Sequence, residues 1–86
     1  MQLVKGMVVR SKAGHDKGSF FVVQRVEGKF AYLIDGSSRT ALRPKKKNPL
    51  HLAVTSTVLS GQSLESDSEI RSVLAEFNRR LTAAGR

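Results

Sequence analysis

Two clusters of side chains in this 86-residue chain have the composition to hold an anion. The first is Lys12-Ala13-Gly14-His15-Asp16-Lys17-Gly18, where cations lie beside glycines whose exposed amides add donors for phosphate oxygens. The second is Lys45-Lys46-Lys47-Asn48, held between Pro44 and Pro49 and led into by Arg39 and Arg43. Prolines at both ends reduce the freedom such a run would lose on binding, which sets it apart from an ordinary solvated charge run.

Catalysis finds little support in the same residues. There is no cysteine and no tryptophan, and His15 and His51 stand 36 positions apart with no second ligand at metal spacing. Gly14 to Gly18 is one residue short of a nucleotide-phosphate loop, and Ser19 follows where Lys and then Ser or Thr would be needed. His15 beside Asp16 has the types of a catalytic pair, but at a solvated loop tip it reads as a polar or phosphate-contacting side chain. The expectation is a protein with no catalytic residue, no metal and no cofactor.

The charge balance points the same way. Fifteen Lys and Arg against seven Asp and Glu leave +8 on a small surface, which makes a polyanion the first partner to consider. Residues 1–52 hold 11 basic and 3 acidic side chains, whereas residues 53–86 hold 4 of each, so the binding surface belongs to the first part of the chain. A chain this short buries roughly 63% of its unfolded surface, too little for two cores. With zero cysteines its fold must rest on apolar packing, in keeping with a reducing compartment. Its apolar runs fall far short of the roughly 20 residues of a membrane helix, and Met1-Gln2-Leu3-Val4-Lys5 lacks a signal-peptide core, so a soluble cytoplasmic protein is expected.

These residues need elements to position them, and turn chemistry divides the chain into short strands. The first ends near Ser11; the second, Ser19 to Val26, carries Phe20, Phe21, Val22 and Val23 and is too apolar for simple alternation, which implies burial on both faces. Glu27-Gly28 closes a hairpin onto Lys29–Ile34. A fourth strand is expected over Arg39–Arg43, stopped by Pro44, and a fifth over Leu50–Thr55 with Leu50, Leu52 and Val54 on one side. Five such strands in so few residues suggest a small closed or nearly closed barrel over residues 1–56.

Residues 57–65 form a connection in which Val58, Leu59 and Leu64 argue against a free linker. A helix follows over 66–84: Ser66 and Glu69 have capping-box spacing, and acidic residues at the start with Arg79 and Arg80 near the end suit the helix dipole. Ile70, Val73, Leu74, Phe77 and Leu81 make one apolar stripe, which needs either the barrel or a protein partner to cover it, and the helix is expected to fray by Gly85. Phe20, Phe21, Phe30 and Tyr32 have the types of base-stacking residues, but so small a core is expected to need most of them inside.

The run from Gly6 through Ala13-Gly14-His15-Asp16-Lys17-Gly18 to Val26 resembles a KOW motif, the strand-loop-strand of many ribosomal and transcription proteins. Tyr32-Leu33-Ile34-Asp35-Gly36 and Arg43-Pro44-Lys45-Lys46-Lys47-Asn48-Pro49-Leu50-His51-Leu52 resemble a narrower group, bacterial relatives of the eukaryotic and archaeal large-subunit ribosomal protein fourteen. The likeness covers residues 4–56, with Phe21 standing where many KOW motifs have glycine. It implies an SH3-like barrel that binds ribosomal RNA or the large ribosomal subunit. The contacts it implies fall on Lys12, Gly14, His15, Lys17 and Gly18 of the loop and on Arg43, Lys45, Lys46, Lys47 and Asn48 of the basic segment, and the charge map adds Arg39. The expected function is thus RNA binding without catalysis in the translation apparatus. The rival is a protein-interaction adaptor that uses the barrel and the helix stripe.

Overall fold

The computed structural model describes residues 2–84, with side chains to residue 80. It is mainly β: Met7–Ser11 (β1), Phe20–Glu27 (β2), Phe30–Ile34 (β3), Lys45–Lys47 (β4) and Leu52–Val58 (β5) precede one helix, Asp67–Ala84 (α1). Every pairing is antiparallel, in the order β4-β3-β2-β1-β5. The five-stranded sheet is consistent with the expected SH3-like barrel, although it stays open: no ladder joins β4 to β5 among the described residues. Nor is any helix there long and apolar enough to cross a membrane.

The dense apolar run in β2 is explained by two cores on opposite faces of the sheet. Phe21 and Val23 point inward with Val9, Ala31, Leu33 and Leu52, and Phe21 occupies that interior as a core side chain. Phe20 and Val22 point outward with Val8 and Ile34, and there they meet Ile70, Val73, Leu74 and Phe77 of α1. Alternation within each strand is intact; both faces are simply covered. The stripe on α1 therefore lies against the sheet, with Ile70 fully buried and Leu74 nearly so, each such side chain contributing about 2 kcal/mol. The Leu81 side chain and Gly85 lie outside the described residues.

Local chemistry fixes where α1 starts and sits. Ser66 Oγ accepts from Glu69 N at 3.3 Å, the first half of the expected capping box, whereas the Glu69 carboxylate turns to Ser63 Oγ at 2.7 Å. Ser63 belongs to a 3-10 turn, Gly61–Glu65, and Leu59 and Leu64 pack beneath the helix, so the connection is ordered by its own apolar residues. Arg71 reaches back across the seam and donates to the Gly36 carbonyl at 2.5 Å. Gly36 has φ 77°, and a Cβ there would run into the Asp67 carbonyl, so only glycine lets the helix start come this close.

The structure moves two strands. Arg39–Arg43 is not the fourth strand, because Asp35 turns that backbone on itself: its Oδ1 accepts from Ser37 N and Arg39 N, both at 2.8 Å, while Asp35 N donates to Arg39 O at 2.7 Å. Arg39 has no groups left for a ladder. Strand formation waits until Pro44 is passed, and the lysine run itself becomes β4, paired with β3 as Lys45↔Leu33, Lys46↔Tyr32 and Lys47↔Ala31. The second displacement concerns Leu50, which stands in a 3-10 turn, Pro49–His51, capped by Asn48 Oδ1 on Leu50 N at 2.9 Å. Leu50 is 80% exposed, and β5 starts at Leu52 and runs on to Val58, beyond the expected end of the barrel at residue 56.

Candidate nucleic-acid interface

Asp16 joins the two basic segments. Its Oδ1 accepts from Ser11 Oγ at 2.7 Å and from Lys47 Nζ at 2.7 Å, and Lys45 Nζ stands 3.3 Å from Oδ2 as an ion pair. Lys47 Nζ also donates to Ala13 O at 2.8 Å, and Lys12 N donates to His51 O at 2.8 Å, so loop 12–19, β4 and the turn after it form one connected surface. Burial by itself raises the Asp16 pKa, but hydrogen bonds from Lys47 and Ser11 and the nearby Lys45 ammonium overcome that and lower it from 3.8 to about 2.

This contact divides the lysine run by strand period. Lys45 and Lys47 face the same way, toward Asp16, and the Lys47 side chain is only 10% exposed. Lys46 faces the other way and lies over the Phe30 ring at 4.3 Å. Of the expected basic stripe, Lys46 is exposed, Lys45 is half-buried, and Lys47 holds the loop.

Within the loop, Lys12, Gly14, His15 and Lys17 are exposed. Gly18 departs from expectation: its amide donates to Ser11 O at 2.8 Å and its carbonyl accepts from Arg10 Nε at 3.3 Å, so it shapes the loop instead of offering a donor. Asn48 is likewise engaged as a cap. Arg39 and Arg43 come together elsewhere, on the 35–44 loop, where they line an open recess of about 590 Å³ with Ser37, Ser38 and Thr40.

The surface also holds two aromatic rings and, over one of them, Arg25, which the sequence reading did not single out. Of the four rings, most of which were expected in the core, Phe21 is inside and Phe20 packs on Phe77 at a centroid distance of 5.3 Å. Phe30 and Tyr32 instead lie on the outer face, Phe30 37% exposed, and the Arg25 guanidinium sits 4.1 Å over Tyr32. Arg25 reaches that face because the β2–β3 register shifts between Val23 and Arg25, a bulge that turns it from the inward series of Phe21 and Val23 to stand opposite Tyr32. The alternation of Phe30 and Tyr32 in a strand carried half of this signal; the bulge left none. No protein-family model matches the chain, and no curated protein is significantly similar to it.

Proposed function

We infer that the chain is a non-enzymatic RNA-binding protein of the translation apparatus, ribosomal or ribosome-associated and cytoplasmic, which holds folded RNA mainly through phosphates and shape. The observation that carries this reading is the joined basic surface. Asp16 fastens loop 12–19 to β4, with Lys12, His15 and Lys17 exposed on the loop and Lys46 exposed on the other side of β4, over Phe30. A loop ordered before its ligand arrives loses little freedom on binding, and charge of one sign on a scaffold of +8 suits a phosphate backbone. The likeness of residues 4–56 to KOW proteins supports the same conclusion. The adaptor reading relied on the helix stripe, and Ile70 and Leu74 of that stripe are buried against the sheet.

The test is a binding titration with ribosomal RNA transcripts over a range of salt. Changing Lys12, Lys17 and Lys46 together to Ala is expected to weaken every folded RNA alike and to reduce the slope of log affinity against log salt by about 3, one per lost phosphate contact. Unchanged affinity and slope would remove this surface from the site, and parent protein binding no better than an equally cationic control would end the reading.

A further inference from the structure

The outer face of the sheet is only half covered. Phe20, Val22 and Ile34 lie under α1, but the same face continues across the β2–β3 hairpin to Arg25, Tyr32, Phe30 and Lys46, which α1 leaves uncovered among the described residues. Each ring there has a cation on it, Arg25 at 4.1 Å from the Tyr32 centroid and Lys46 at 4.3 Å from that of Phe30. Lys29 adjoins them in the hairpin turn; Glu27, paired with Arg25 at 2.8 Å, is an acidic residue of the patch, and Glu65 lines a recess beside Arg25 together with Lys5.

We propose that this face is a second contact surface, taking an unpaired segment of RNA whose bases stack on the Tyr32–Arg25 and Phe30–Lys46 pairs. Flat rings and a guanidinium offer surfaces that any base can stack on, while cations at their margins match the sugar-phosphate chain. An apolar peptide would gain from the rings but would have to displace or bury the cations, and a duplex hides its base faces; the combination favours a single strand. The bulge matters here, since without it Arg25 would point into the core. Lys46 stands between Lys45 and Lys47 in β4, so the edge strand adjoins the basic loop through one side and the stacking face through the other. One RNA in which a helix passes into a loop would engage both.

The proposal rests on the RNA-binding reading, and its test separates the two. Tyr32 is the only tyrosine, so its ring resonances are identified without full assignment. Titration with a short mixed-sequence RNA free of self-complementarity is expected to shift them saturably, whereas inorganic polyphosphate leaves them in place. Phe30→Leu and Tyr32→Leu are each expected to weaken this RNA about tenfold with no change in salt slope, and to leave a blunt duplex bound as before. Should Tyr32→Leu fail to fold, Phe30→Leu at the more open ring carries the comparison. Equal shifts with polyphosphate, or Leu variants that bind the single strand as tightly as the parent, overturn the proposal. Binding of folded RNA without any single-strand binding overturns it too but leaves the basic-loop reading standing; binding of neither removes both.

Discussion

Asp16 is the side chain on which the candidate site depends most. It is 14% exposed, surrounded by a hydroxyl and two ammonium groups, and its carboxyl is held near 2 in the folded protein against 3.8 ordinarily. A depressed pKa means that the folded state binds the proton less readily than the unfolded chain. The contribution of Asp16 is therefore complete above about pH 4 and disappears as the pH falls toward 2. Asp16→Asn is expected to cost about 2 kcal/mol at neutral pH, because Lys47 is left buried without its counter-charge, and to flatten the acid limb of stability between pH 4 and 2. Urea unfolding at a series of pH values checks both. A variant as stable as the parent, with the same acid limb, would show that the clamp contributes nothing.

Gly36 sets how closely α1 approaches the sheet, and Gly28 provides the control. Both have positive φ, 77° and 58°, but a Cβ at Gly28 meets nothing within 4 Å whereas one at Gly36 collides with the start of α1. Gly28→Ala is expected to cost about 1 kcal/mol of backbone strain. Gly36→Ala carries that cost plus displacement of the helix, about 2 kcal/mol or more in all. Equal urea midpoints for the two variants would mean that the Gly36 contact does not hold the helix. The helix was the element most readily seen in the sequence, since Ser66 and Glu69 mark its start and Ile70, Val73, Leu74 and Phe77 its buried side. The two-faced β2 was readable for a similar reason: it had more apolar residues than one face can use. The fourth strand was not, because a single side chain, Asp35, bends the backbone that Arg39–Arg43 would have needed. The Lys47–Asp16 contact joins residues 31 positions apart, a pairing that appears only once β4 is known to lie beside the loop. The lysines were recognised as a basic segment from the sequence, but their division into inward and outward sets depends on strand geometry that the run of three did not announce.

For the molecule as a unit, the helix closes one of the fold's two apolar cores and is not an appendage. Ile70 and Leu74 complete the cluster with Val8, Val22 and Ile34, and removing residues 66–86 would expose that face of the sheet to water. The shortened chain is expected to lose cooperative thermal unfolding and to associate, by melting and sedimentation measurements. A monomeric, cooperatively melting fragment with full RNA affinity would instead make the barrel self-sufficient and return the stripe to a possible partner.

An open sheet keeps two margins to which a foreign strand can be added, and here one of them is made of three consecutive lysines. Two copies meeting along that margin would bring ammonium groups together, so the strand that holds the loop in place also discourages edge-to-edge growth into fibrils.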